Sequence, residues 1–379
     1  MKRVAVILDT SREMGRAFLR GIHRFQKESE GWQLHLELGN ADRVERMQRW
    51  QGDGIIARVR SREVGEAIMA HDVPAVLDRD PVTPPEGRVS PIARFPWRDE
   101  GPGAKAVEHL LSRGLRRLAF CGFTDRPNWG RDEAMRSLCE AHGVEMSLFV
   151  PELGGLEDEP GELRRWVRRL EKPVGIWAVN DERGFELIEA CRAENISVPD
   201  SVAVLGTDDD VFLCELSTPT LSSVRQPAED VAYWGAAYLD ALMRKEPLPE
   251  LPPPPPQRVV LRGSTDSMSC EDVLVRKAAQ IIRDKVDVTS GVEDLVRTLG
   301  VSRRTLERRF VASLGRTPGD ELRRRRVERA ASLLERTELS AAEVAAKCGF
   351  GAPARLTEAM RREMGVGPSE YRRRLKSVS

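Results

Sequence analysis

The chain has 379 residues, 40% hydrophobic and 5% aromatic, with 60 Lys and Arg balancing 60 Asp and Glu. That length admits two or three domains, each with its own core. No apolar run approaches the ~20 residues that span a bilayer. The six cysteines (Cys121, Cys139, Cys191, Cys214, Cys270, Cys348) form no CxxC pair and have no His at metal spacing, so they read as reduced core thiols rather than a disulfide scaffold or zinc module.

From the N-terminus, Met1-Lys2-Arg3 leads into a five-residue apolar run, too short for a signal-peptide core, which points to a protein that stays in the cytoplasm. Short apolar runs suited to strands follow at 4–8, 34–38, 54–57, 75–77, 118–121, 147–150, 174–179, 202–205, 221–224 and 259–261. Between them lie helical patterns at 15–27, 103–113, 131–142, 161–170, 181–194 and 228–244. Continuous apolar strands alternating with helices imply parallel sheets covered on both faces. Some ten strands over this length fit two doubly wound lobes better than one sheet, with ligand beyond the C-terminal strand ends. The proline run 252–256 resembles a linker, but 257–264 still has a strand pattern, so the domain boundary is placed among the small polar residues 264–270.

The C-terminal part differs in charge. Residues 271–379 hold 24 Lys and Arg against 16 Asp and Glu, leaving 36 against 44 in 1–270, so only the smaller module is suited to a polyanion. A helix at 273–286 comes first, and one pattern is then written twice. Glu293-Asp294-Leu295-Val296, Gly300, Leu306, Phe310 and Gly315-Arg316-Thr317-Pro318 are matched by Ala342-Glu343-Val344-Ala345, Gly349, Leu356, Met360 and Gly365-Val366-Gly367-Pro368. Gly300 and Gly349 are 49 positions apart, and Leu306 and Leu356 are 50 apart. A glycine at positive φ swings one helix across another, and the i, i+4 apolar pairs leave the opposite helix face free for a groove. These are two helix-turn-helix units, at about 291–310 and 340–362. A basic helix over 319–336, through Arg323-Arg324-Arg325-Arg326, holds them at a fixed separation; both reading one duplex face requires about 34 Å between recognition helices.

The module at 271–377 resembles the AraC/XylS family of transcriptional regulators. The residues that carry the likeness are Leu306, Phe310, Gly315, Pro318, Ala330, Leu333-Leu334, Val344-Ala345, Gly349-Phe350, Pro368 and Tyr371-Arg372. Residues 1–266 resemble the type I periplasmic-binding-protein sensors of LacI/GalR regulators, through Gly52-Asp53-Gly54-Ile55-Ile56, Ala178-Val179-Asn180-Asp181, Val204-Leu205-Gly206-Thr207-Asp208-Asp209 and Leu221-Ser222-Ser223-Val224-Arg225-Gln226. Together they imply an α/β two-lobed sensor domain followed by an all-α AraC-type domain, the arrangement of xylose operon regulators. The resemblance implies a sugar effector held between lobes, operator DNA, a homodimer, contact with RNA polymerase, and neither cofactor nor membrane.

Sugar hydroxyls each donate and accept, so their sites combine carboxylates with planar donors. Position by position, the resemblance places Asn180, Asp181 and Asp208 at ligand-binding strand ends. It makes Arg131 the usual ligand arginine, brings Arg16 from the first helix, and adds the pair Asp78-Arg79 and Gln226 at the lobe crossover. Competing readings stay open: Asp181 as a helix cap, Trp129 as a stacking platform or ordinary core, and Arg79 as a surface ion pair. Asp209 and Asp210 are read as loop or cap residues, and adjacent carboxylates on one strand make a poor metal site. For DNA, Ser302 is placed to cap the first recognition helix, whose exposed face carries Arg303, Arg304, Glu307 and Arg308. The Arg304–Arg308 pair at i, i+4 suits guanine edges. In the second unit Pro353 fits the first helical turn. Arg355, Thr357 and Arg361 are its contact candidates, Arg361 and Arg362 toward phosphate, and this unit is expected to position more than specify.

The leading expectation is a pentose-responsive activator. A regulator sensing another small polar ligand, or acting as a repressor, keeps the DNA binding. An enzyme is disfavoured because no histidine, Walker or GxGxxG motif sits where catalysis needs one. A solute carrier is disfavoured because a signal-peptide pattern is missing and a DNA-binding module is appended.

Overall fold

The computed structural model describes the chain except for residues 30, 39–49, 60–61, 79–88, 98–100, 124–127, 129, 150–158, 253–254, 267–271, 285–290 and 377–379. Its elements are β1 (Lys2–Leu8), α1 (Glu13–Glu28), β2 (Trp32–Leu38), β3 (Gly54–Ala57), α2 (Arg62–Met69), β4 (Ala75–Leu77), β5 (Ile92–Arg94), α3 (Gly103–Ser112), β6 (Arg117–Cys121), α4 (Arg131–Ala141), β7 (Glu145–Phe149), α5 (Glu159–Arg169), β8 (Val174–Ala178) and α6 (Asp181–Ala193). Then come β9 (Val202–Thr207), α7 (Val211–Leu216), β10 (Ser222–Arg225), α8 (Ala228–Arg244) and β11 (Arg258–Val260), with a 3-10 turn at Gly263–Thr265. The C-terminal helices are α9 (Val273–Asp284), α10 (Val292–Leu299), α11 (Arg303–Leu314), α12 (Pro318–Arg336), α13 (Ala341–Lys347), α14 (Pro353–Met364) and α15 (Pro368–Lys376).

Two compact units result. The first comprises Met1–Pro102, Asp208–Asp210 and Val224–Arg258. Its five strands run in the order β2-β1-β3-β4-β5, and every pair is parallel. The apolar runs at Val4–Leu8 and Gly54–Ala57 are buried on both faces, as a covered parallel sheet demands. On one face Val4, Val6, Leu8 and Ile56 pack with Phe18 and Ile22 of α1 and Val231, Ala232 and Leu239 of α8. Gly21 is required where α1 crosses α8, since a Cβ there would lie 2.1 Å from the Glu229 carbonyl oxygen.

The second unit comprises Gly103–Thr207, Val211–Ser223 and Val259–Ser379. Its sheet has the order β11-β10-β9-β8-β6-β7, and the pairs β6–β7, β6–β8 and β8–β9 are parallel. Ala119, Ile176, Val204 and Leu187 lie in its core. The same unit carries the all-helical C-terminal module, built around two small cores. Leu295, Leu306 and Phe310 of the first helix-turn-helix pack with Val275 and Ile282 of α9 and Leu322 of α12. Val344, Leu356 and Met360 of the second pack with Val327, Ala330 and Leu334 of α12 and with Tyr371.

Every turn glycine of the repeat adopts the left-handed conformation: Gly300 at φ 66°, Gly315 at 67°, Gly349 at 72° and Gly365 at 76°. Pro353 occupies the first turn of α14, where a missing N–H costs nothing. Among the described residues no helix is long and apolar enough to cross a membrane, and no three His, Cys, Asp or Glu side chains are grouped to hold a metal ion. Cys121, Cys139, Cys191, Cys214 and Cys348 are buried and form no disulfide among the described residues, and burial pushes Cys191 up to about 12.

Candidate functional site

In the first unit the candidates gather around the segment Asp208–Asp210, which crosses in from β9. Asp208 and Asp209 have φ of 99° and 58°, conformations that side chains other than glycine rarely adopt. Each carboxylate has a partner. Gln226 Nε2 donates to Asp208 at 2.6 Å, Arg225 pairs with Asp209, and Arg16 Nη2 donates to Asp210 at 2.6 Å. Arg16 also donates to Glu13 at 3.1 Å and to the Ser11 carbonyl at 2.9 Å, so α1 delivers a guanidinium fixed on three sides. Asp78, at the end of β4, accepts from the Val59 amide at 2.8 Å and from Arg58 Nε at 3.3 Å. Arg79 lies outside the described residues.

In the second unit the candidates sit at the C-terminal ends of β8 and β9. Asn180 caps α6, its side chain accepting from the Arg183 amide at 2.9 Å, so the capping role falls to Asn180 and Asp181 occupies the first helical position. Asp181 is 2% exposed and accepts from Ser223 Oγ at 2.5 Å. Gly206 leaves room for it, since a Cβ there would come 2.1 Å from Asp181 Oδ1. Arg131, at the start of α4, is buried and donates to the Val179 carbonyl beside Asn180. Three candidate side chains thus meet at one strand end. Trp129 lies outside the described residues. Sequence reasoning missed Ser223, although it stands within the quoted Leu221–Gln226 stretch, and it missed Arg225 and Asp210 as ion-pair partners.

The first recognition helix, α11, is capped by Ser302, whose hydroxyl accepts from the Thr305 amide at 3.1 Å. Arg303 is exposed but tied to Glu307 at 2.8 Å and Glu293 at 2.6 Å. Arg304 and Arg308 are exposed and carry no carboxylate partner among the described residues, which leaves two cations one turn apart on the face opposite Leu306 and Phe310. In α14, Arg355 and Arg361 are exposed, while the Thr357 hydroxyl donates back to the Pro353 carbonyl at 3.0 Å.

The arginine run of α12 does something else. Glu321 is fully buried, and it accepts from Arg316 at 2.8 Å, Arg325 at 3.0 Å and Arg324 at 3.2 Å. Burial alone would raise its pKa, but Arg324, Arg325 and Arg316 outweigh that and hold it well below the usual carboxylate range. Arg323 pairs with Glu363 at 3.0 Å on α14. At least three of the four arginines are therefore engaged with protein carboxylates.

Residues 3–78 match the XylR N-terminal domain, residues 107–265 a periplasmic binding protein-like domain, and residues 295–374 a helix-turn-helix domain. The chain is a periplasmic-binding-protein-type sensor fused to an AraC-type helix-turn-helix domain. This sensor-regulator chain is 28% identical to the xylose operon regulatory protein of Escherichia coli (strain K12), over 98% of this chain and 96% of that one. It is 26% identical to the protein of the same name from Haemophilus influenzae, over 98% of each. Among solved structures, the xylose-binding transcription activator XylR superimposes with a TM-score of 0.60 at 26% identity, over 98% of both chains. These relatives are regulators of transcription, and the likeness runs through the sensor and the helix-turn-helix domain alike.

Proposed function

We propose that the chain is a DNA-binding transcriptional regulator, an activator controlled by a pentose, with D-xylose the first candidate. The observation that carries this reading is the pairing, in one chain, of two helix-turn-helix units with a sensor whose β8 and β9 ends gather Asn180, Asp181 and Arg131. Residues 1–266 form the sensor and 271–377 the DNA-binding domain. In the sensor, Asp181 and Asp208 accept from sugar hydroxyls while Arg131, Asn180, Arg16 and Gln226 donate, with Asp78, Arg79 and Trp129 completing the ligand set. On DNA, Arg304 and Arg308 read base edges, with Arg303 and Glu307 beside them and Ser302 at the helix start. Arg355, Thr357 and Arg361 bind mainly to position the second unit. The protein acts as a homodimer in the cytoplasm, meets RNA polymerase at its promoter, and carries out no catalysis.

Thermal unfolding of the full chain against D-xylose and a panel of pentoses, hexoses and polyols tests the effector. A ligand at 100 times its dissociation constant adds about 2.7 kcal/mol. A shift with one pentose, abolished by Asp181→Ala, supports the reading. A shift only with a different polar ligand removes the pentose and leaves the regulator.

A further inference from the structure

The second unit contains a buried contact between the sensor and the DNA-binding domain, and among the described residues its charges do not balance. Arg113, which follows α3 in the sensor, is 1% exposed. Its Nη1 lies 4.0 Å from Asp266 and its Nη2 3.8 Å from Glu328 of α12, and none of its three nitrogens makes a hydrogen bond among the described residues. The same carboxylates are taken by better-placed partners: Arg325 binds Asp266, and Arg324 lies 3.1 Å from Glu328. Arg316 reaches from the DNA-binding domain to the Ser112 carbonyl at 2.9 Å. Among the described residues, four guanidiniums (Arg113, Arg316, Arg324, Arg325) thus face three carboxylates (Asp266, Glu321, Glu328), and Arg283 adds a donor to the Asp266 carbonyl. Burial, then Arg324 and Arg325, bring the Arg113 pKa down to about 9, as an under-compensated cation requires.

Adjacent residues of β10 join the ligand candidates to this contact through the backbone, with polar side chains on both faces of the strand. Asp181 accepts from Ser223, and the neighbouring Ser222 hydroxyl accepts from Thr265 Oγ1 at 2.8 Å. Thr265 lies 2.9 Å from His109 Nε2, on the last turn of α3, one turn before Arg113. Ser222, Ser223 and Thr265 are fully buried, and Thr265 immediately precedes Asp266.

We propose that Arg113 is the coupling residue of this regulator: its surplus buried charge keeps the sensor–α12 contact only marginally closed, so a small shift of α3 decides whether the DNA-binding domain is docked. Breaking one partner of a buried ion pair is costly, whereas replacing a poorly compensated buried charge by an apolar group of similar volume is often neutral or stabilising. Opposite effects follow. Arg113→Met leaves three cations on three carboxylates and closes the contact; Glu328→Gln worsens the excess and opens it. The proposal rests on Asp181 belonging to the effector site.

The test uses the full chain with spin labels at Ser137→Cys and Glu358→Cys in a Cys270→Ser background, together with operator affinity with and without D-xylose. Arg113→Met is expected to narrow the label distances to one docked population. It also reduces the effector-dependent change in operator affinity from the 5- to 150-fold typical of coupled sites to about twofold or less. Glu328→Gln broadens the distances, and Arg113→Lys behaves as the parent. Variants that shift the distances in the same direction, or leave them unchanged, overturn the proposal. Opposite shifts in a protein whose operator affinity ignores D-xylose uphold the joint and remove the pentose reading instead.

Discussion

Glu321 gives the sharpest test of how the DNA-binding domain is held. It is 0% exposed and accepts hydrogen bonds from three guanidiniums at 2.8 to 3.2 Å. Glu321→Gln keeps the shape, removes the charge and turns two donors toward those guanidiniums. Breaking a buried ion pair from one side costs about 3–5 kcal/mol. Glu328 remains 3.1 Å from Arg324, and Asp266 remains on Arg325, so the lower end applies. About 3 kcal/mol, against an RT of about 0.59 kcal/mol, multiplies the open population by roughly 10². Amide hydrogen exchange of α12 in the full chain, read by mass spectrometry under conditions where exchange follows the opening equilibrium, measures this directly. Acceleration of that order is expected over residues 322–336, with β1 and β3 of the first unit unchanged. Acceleration below about threefold would refute the reasoning, placing Glu321 with surface ion pairs worth about 0–1 kcal/mol.

Arg304→Ala should weaken operator binding by about 1–3 kcal/mol and relax selectivity at one base position, measured by titration at fixed salt; an unchanged affinity and base preference would remove Arg304 from the readers. Gly349→Ala forces a Cβ to within 3.1 Å of the Arg326 guanidinium at a φ of 72°. The backbone term alone costs about 1–2 kcal/mol, so operator affinity should fall while effector affinity, by calorimetry, holds. Acid should destabilise the chain in two stages. Burial, then Arg113, Arg324 and Arg325, hold His109 well below its ordinary 6.5, so the stability it contributes is complete above pH 6.5 and declines below it. Glu321, also depressed, adds its loss as pH falls below 4.5 toward its folded pKa. Thermal unfolding from pH 7 to 4 should show both, with His109→Gln removing the first; a flat profile from pH 7 to 5 would contradict it.

The elements that sequence made legible are those with a physical signature in a single stretch. Runs such as 54–57 and 75–77 read as strand candidates and are buried strands, and each turn glycine of the helix-turn-helix repeat sits at the positive φ expected of it. The Ile92–Arg94 strand was missed because three residues ending in Arg offer no apolar run. Helix α2, over Arg62–Met69, was missed because its one apolar stripe is two turns long. The site was less legible. Asn180 and Asp181 were both picked out, but only three dimensions show which caps the helix and which meets Ser223. The arginine run of α12 reads in sequence only as part of a basic helix that holds the two units apart. Its i, i+3 and i, i+4 spacing to Glu321 was there to be read, whereas Asp266 lies 59 positions from Arg325, and no local pattern joins them.

Helix α12 lends Leu322 to one small core and Val327, Ala330 and Leu334 to the other. It therefore works as a camshaft. One residue inserted between Leu322 and Val327 would turn the second reading head through about 100° and advance it by about 1.5 Å, leaving both heads folded but out of phase on the duplex. If both units contact one duplex, operators for this chain must keep a fixed phase between two contact blocks, and drift in block spacing cannot be absorbed without rebuilding that helix.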